Sequence, residues 1–124
     1  MAGMKSIPSR ADFLRARNDG EKAVSKGMVI QAVHNGQSGS RLGITASKKI
    51  GNAVARNLAR RRLRALAQEV LRPQAEQGVD YVLIARYDTG ARPWQMLGED
   101  MRKALRYLHR KLGNKQVDSG PDNG

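Results

Sequence analysis

KKIGNAVARNLARRRLR, from Lys48 to Arg64, is the stretch on which the reading of this 124-residue chain turns. Seven of its seventeen residues are Lys or Arg, and the chain has no acid anywhere from Lys22 to Gln68. Apolar residues recur among the cations at helical spacing, which predicts an amphipathic helix rather than a disordered basic tail. The helix should cover 53–71, with Asn52 as N-cap and Pro73 as its stop. Advancing about 100° per residue from Val54, the residues Val54, Ala55, Leu58, Ala59, Leu63, Ala65, Leu66 and Val70 fall within half the circumference. Only Arg62 intrudes on that arc. Arg56, Arg60 and Arg64 form an i, i+4, i+8 row on the other half, with Asn57, Arg61 and Gln68 beside them. One face reads as core and the other as a ridge of guanidinium groups.

Like charges one turn apart repel by a few tenths of a kcal/mol per pair, roughly, and no nearby acid relieves them. A solvated face with no partner would mix Glu with Lys. This one uses Arg, whose planar fork matches phosphate oxygens and stacks on bases. Just upstream, Lys48 and Lys49 sit where the helix N-terminus already favours an anion. Gly51 allows a backbone conformation that other residues resist, although an ordinary loop glycine would look the same. The spacing is not that of a P-loop, so nucleotide hydrolysis is not indicated.

Working outward, Ser9 with Asp12 three residues on marks the start of a short helix over 10–17 that carries Phe13. Residues 28–34 read as a strand rich in Val and Ile. The segment 35–40 (NGQSGS) is a turn, and 41–47 reads as the returning strand of an antiparallel hairpin. Residues 79–87 (VDYVLIARY) form a near-continuous apolar run, as in a strand covered on both faces or central in a sheet. Pro93 opens a last helix with Trp94, Leu97, Met101, Ala104, Leu105, Leu108 and Leu112 on one stripe. The expected order is α-β-β-α-β-α in an α/β layer. A flexible N-terminus (1–8) and a disordered tail (113–124) flank a single domain over 9–112.

The net charge of +12 would oppose a compact fold through self-repulsion, and a polyanionic partner relieves it. Nucleic acid fits that partner better than a membrane, for which the chain has neither a long apolar run nor clustered aromatic anchors. There is no cysteine, so disulfides and thiolate metal sites are excluded. The N-terminus MAGMKSIPSR lacks the apolar core of a secretory signal, which makes the cytoplasm the default location. The two histidines, His34 and His109, are unaccompanied by clustered carboxylates, so a self-contained nuclease is not indicated.

Residues 41–66, RLGITASKKIGNAVARNLARRRLRAL, closely resemble the signature of the bacterial ribonuclease P protein subunit, R-x-G-(x)-S-K-K-x-G-N-A-V-x-R-N-R-(x)-K/R-R. Ala11-Asp12-Phe13 resembles that family's aromatic-bearing first helix, and 79–86 its late strand ending in I-A-R. The resemblance implies a noncatalytic protein with no catalytic residues of its own, and no metal ligands are assigned on the chain. Such a protein joins one catalytic RNA that, with Mg2+ bound mainly by the RNA, removes the 5′ leader of precursor tRNA. It also implies a two-layer α/β sandwich, shared with a ribosomal-protein domain, whose β-α-β crossover is left-handed against the usual rule. Carried over by position, Lys48, Lys49, Gly51 and Asn52 match the family's loop and helix start. Arg56, Asn57, Arg60 and Arg61, extended by Arg64, match the helix that faces the catalytic RNA. Phe13, Arg17 and Gln31 match the cleft that receives the leader.

This chain departs from the pattern at Leu58, where the family has the last Arg of R-N-R and where Arg62 is a candidate substitute. It departs again at Arg17 and Gln31, where the cleft is often aromatic. Leader recognition should then rest more on charge and hydrogen bonds than on stacking, with a steeper salt dependence than in aromatic-rich relatives. A ribosomal-type structural RNA-binding protein would show the same composition, and the KKIGNAVARN string is what argues against it.

Overall fold

β5 (Val79–Ala85) lies at the centre of a five-stranded sheet, in keeping with its near-continuous apolar run. The computed structural model describes residues 4–119, with side chains from 4 to 113. The other strands are β1 (Lys5–Ser6), β2 (Glu21–Val24), β3 (Met28–His34) and β4 (Arg41–Thr45). The helices are α1 (Arg10–Asp19), α2 (Ala53–Leu66) and α3 (Trp94–Ser119). Across the sheet the order is β1-β4-β5-β3-β2.

The hairpin expected between 28–34 and 41–47 does not form. β5 lies between the two strands, antiparallel to β3 and parallel to β4, so that β4, α2 and β5 make a parallel crossover. The six-residue connection has no tight turn to hold the strands together and is fastened to β5 instead. The Asn35 N–H donates to the Gly78 carbonyl at 2.8 Å, and Asn35 Nδ2 donates to Asp80 Oδ1 at 2.8 Å.

Two short strands were not legible. β2 pairs antiparallel with β3, but only Ala23 of its four residues is buried, so its sequence carries no alternation to read. β1, in the segment expected to be loose, pairs parallel with β4. Burial of Ile7 on the sheet and a bond from its N–H to the Leu42 carbonyl at 3.1 Å hold it there. Residues 1–3 of that segment lie outside the described residues.

The sheet separates two apolar layers, because successive strand residues point to opposite faces. On one side Met28, Ile30, Tyr81 and Leu83 meet Leu63 and Leu66 of α2 and Leu97, Met101, Leu105 and Leu108 of α3. Each such large side chain contributes about 1.5–3 kcal/mol by leaving water. On the other side Ala16 of α1 meets Ile7, Val33 and Val82, with Phe13 and Ile84 against them.

α2 starts where expected, with Asn52 Oδ1 accepting from the Ala55 N–H at 3.0 Å. Its last turns widen into a π-helical segment over Ala67–Leu71 and then tighten over Arg72–Gln74, around Pro73, which has no N–H to continue the ladder. α3 stays helical to Ser119, past residue 113, where the tail was expected to begin. A glycine inside a helix costs about 1 kcal/mol but does not end it. The remainder of that expected tail, 120–124, lies outside the described residues.

Candidate nucleic-acid interface

Large side chains fix the phase of α2. Ala59, Leu63, Leu66, Ala67 and Val70 are buried, which centres the buried stripe near Leu63. Measured from there, Val54 and Leu58 fall on the far side of the helix, and they are 76% and 37% exposed. Both were expected within the core arc. Arg61, Arg64, Asn57 and Gln68 share their exposed face, whereas Arg56 and Arg60 are half-buried flanks. The ridge is therefore turned by part of the circumference and carries Val54, Leu58 and Ala65, a further residue expected in the core arc, among its cations. Arg60 donates to Asn57 Oδ1 at 2.9 Å, which holds both side chains in place.

Arg62 is not free to take the place of the family arginine that Leu58 replaces. Its guanidinium donates to the carbonyls of Thr89 at 2.5 Å and Arg92 at 2.7 Å and lies over the Trp94 ring at 5.6 Å. It fastens α2 to the start of α3.

The approach to the ridge is a single 3-10 turn, Lys48–Ile50, with both lysines exposed. Gly51 ends the turn at φ 142°, a conformation that side chains resist, and its N–H donates to the Lys48 carbonyl at 3.1 Å. A Cβ at this position would also stand 3.1 Å from that of Ala55. Gly51 is therefore required by the turn that delivers Lys48 and Lys49 to the head of α2.

On the opposite side of the sheet, Phe13, Arg17 and Gln31 come together. With Arg10, Leu14, Thr45, Val82 and Ile84 they line an open groove of about 350 Å3. Phe13 is half-buried and rests on Gly43, where a Cβ would come within 2.6 Å of its ring. The absent side chain of Gly43 is what seats the aromatic in the groove. Neither Gly43 nor Thr45 was expected in the cleft, and only a contact between residues distant in sequence identifies them.

A buried charge network sets the position of α1 and hence of the groove wall. Asp80, inside the apolar run of β5, is fully buried. The Arg41 fork donates to both its oxygens, at 2.8 and 2.7 Å. Arg15 of α1 reaches Asp80 at 3.4 Å and Asp12 at 2.9 Å, and Arg41 also reaches Asp12 at 3.4 Å. At the head of α1, Ser9 Oγ accepts from the Asp12 N–H at 3.2 Å and donates to the Asp12 carboxylate at 2.8 Å. That hydrogen bond, with Arg41 and Arg15 adding to it, holds the Asp12 carboxyl below its ordinary range against the opposing effect of burial. Burial also pushes the Asp80 carboxyl up, but the hydrogen bonds from Arg41 and Asn35 outweigh it and the net direction is down. The signal in the sequence was a lone acid within an apolar strand, which calls for a cationic partner.

His109 is engaged with the hydroxyl of buried Tyr81 at 2.7 Å, and that hydroxyl accepts from the Glu76 N–H at 3.0 Å. Burial holds the Tyr81 phenol protonated, well above its ordinary range. Among the described residues no three His, Asp or Glu side chains gather where they could hold a metal ion. No helix among them is long and apolar enough to cross a membrane.

Residues 1–109 match the model of the family described as Ribonuclease P. The chain is 46% identical over 112 residues to the ribonuclease P protein component of Ruegeria pomeroyi, covering 87% of this chain and 89% of that protein. It is 44% identical over 101 residues to the component from Gluconacetobacter diazotrophicus, covering 81% and 87%. The structure of the Staphylococcus aureus RNase P protein superposes with a TM-score of 0.69 at 27% identity, covering 82% of this chain and 93% of that one. The RNase P protein from Thermotoga maritima gives 0.69 at 26%, covering 86% and 96%.

Proposed function

Since this chain belongs to the ribonuclease P protein family, we propose that its two basic surfaces hold two different RNAs at once. As a ribonuclease P protein component it takes part in tRNA processing with the ribonuclease P RNA. In our reading the convex face of α2, with the Lys48–Lys49 turn, binds that RNA, one protein to one RNA. The groove under α1 receives the single-stranded 5′ leader of precursor tRNA. The observation that carries this reading is the separation of the surfaces, one in each layer of the sandwich.

Each surface suits its ligand chemically. On α2, Arg61 and Arg64 project without carboxylate partners among the described residues, so they are available to phosphates and release counterions on binding. The N–H groups at the head of α2 add partial positive charge beside Lys48 and Lys49. In the groove, the half-buried face of Phe13 offers a stacking surface. Gln31 and Thr45 offer hydrogen bonds, and Arg10 and Arg17 stand at the rim for the backbone. With Arg17 and Gln31 in place of aromatic residues, a leader is held by one ring and several polar contacts.

Endonucleolytic cleavage is assigned to the RNA, in the cytoplasm. We assign Mg2+, the metal that the family resemblance implies, to the RNA as well. The protein binds, orients and neutralises. Reconstitution tests this division of labour: the purified chain alone should leave precursor tRNA intact, and adding catalytic RNA with Mg2+ at low salt should produce the mature 5′ end. Cleavage by the chain without RNA would overturn it.

A further inference from the structure

α3 presents another basic surface, which neither the ridge nor the groove uses. From Met101 to Gly113 it has five cations and no acid. All five are exposed, and none contacts a carboxylate among the described residues. They fall into two rows at i, i+4, i+8: Arg102, Arg106, Arg110 in one and Lys103, Tyr107, Lys111 in the other. Each row thus repeats about every 6 Å along the axis. Tyr107, 39% exposed, is the aromatic in the midst of these charges, with Arg110 and Lys111 each 5.8 Å from its ring centre.

Between the Tyr107 row and β2 runs an open groove of about 380 Å3, lined by Lys22, Val24, Ser25, Lys103 and Tyr107 among others. β2 ends the sheet, so its outer edge has no neighbouring strand among the described residues. The one carboxylate on the groove wall, Asp100, is already satisfied: it accepts from Arg92 at 2.5 and 3.2 Å and from the Gly27 N–H at 3.1 Å. The groove therefore presents positive charge, an aromatic ring and the apolar side chain of Val24, with no free anion among the described residues to repel a phosphate.

We propose that the β2–α3 groove binds a single-stranded RNA segment, with phosphates on Lys22 and Lys103 and a base against Tyr107. The charge excess selects a polyanion over an ordinary peptide. The concave wall with one ring suits an unpaired nucleotide, because a duplex keeps its bases stacked away from side chains. The site is independent of the ridge and of the α1 groove, since it draws on none of their residues.

The test is a 15N NMR titration of the full chain with hexauridylate, which resolves the surfaces residue by residue. Amide shifts are expected at Val24, Lys103, Tyr107 and Lys111 as one set, and at Phe13, Gln31 and Thr45 as another. The double variant Lys103→Ala/Tyr107→Ala should weaken the first set's affinity about tenfold and leave the second unchanged. Phe13→Ala should do the reverse, so that failure at either groove is told apart from failure at the other. Preserved dispersion of the spectrum checks the fold of both variants. No shift along α3 at saturating hexauridylate would overturn the proposal. So would tripolyphosphate giving the same shifts at the same affinity while Tyr107→Ala had no effect, since the surface would then be a polyanion strip without base contact.

Discussion

The outer face of α2 and the groove under α1 are both basic, yet they are built on opposite plans. α2 is convex and its arginines come from one continuous segment, held at fixed spacing by the helix itself. The groove is concave, and Phe13, Gln31, Thr45 and Val82 come from four elements that meet only in the folded chain. A ridge of this kind survives almost any change that keeps the helix. The groove depends on how α1 is seated, and so on Arg41, Asp80 and Gly43 beneath it. Affinity for phosphate can be read in a local sequence, whereas a shaped site for bases depends on long-range packing.

The largest effect that separates the two is expected from Arg41→Ala. It leaves the Asp80 carboxylate buried with its main partner gone, which costs about 3–5 kcal/mol, and it releases α1 from the sheet. Chemical denaturation should report that loss. Leader binding should fall further than binding of the catalytic RNA at temperatures where the variant is still folded. The same pair sets an acid limb. The Asp80 carboxyl titrates lower in the folded chain than in the unfolded one, so its stabilisation is full above the ordinary carboxylate value of about 3.9 and is lost as pH falls through that range and below. In Arg41→Ala the limb should flatten, and an unchanged acid midpoint would separate Asp80 from stability.

An intermediate effect is expected on the ridge. Arg61→Ala/Arg64→Ala removes two exposed guanidinium groups and should change stability by no more than about 0.5 kcal/mol per site. Affinity for the catalytic RNA should fall by roughly tenfold per arginine. The slope of log K against log salt should become shallower by about 0.7–0.9 for each phosphate contact removed. A titration over salt concentration measures both, and an unchanged slope would place the RNA elsewhere on the molecule.

The smallest effect concerns Leu58, which is exposed on the ridge while Arg62 is committed to the start of α3. Leu58→Arg should add one phosphate contact and steepen the salt slope by about 0.7–0.9, with little change in denaturation. Arg62→Ala is expected to act through stability, because its carbonyl partners at Thr89 and Arg92 and its stacking on Trp94 are lost. If Arg62→Ala lowered RNA affinity at full stability while Leu58→Arg left the salt slope unchanged, Arg62 would be the residue that completes the motif.

Much of α2 was legible because what defines it is local: the Asn52 cap, the run of arginines and the stop at Pro73. Its phase was misread because the apolar arc was anchored at Val54 and filled with alanines, which bury little and orient weakly. Leu63, Leu66 and Val70 decide the phase, and they leave Leu58 outside. The elements of the sheet were visible but their pairing was not, since β3 and β4 are neighbours in sequence and β5 enters between them from more than thirty residues away. Phe13 stood out as the lone phenylalanine on a basic helix, and the family resemblance assigned it to a cleft. Its seat on Gly43 and the Arg41–Asp80 pair did not stand out, because no local pattern joins residues that far apart.

The most direct test of two separate RNA surfaces is the affinity ratio of leader-bearing to leaderless precursor tRNA, measured on the reconstituted ribonucleoprotein for the wild type, Phe13→Ala and Arg61→Ala/Arg64→Ala. Phe13→Ala should bring the ratio close to one while assembly with the catalytic RNA is unchanged, and the arginine pair should weaken assembly while the ratio holds. A ratio that collapsed in the arginine variant and survived in Phe13→Ala would contradict the assignment of the two surfaces.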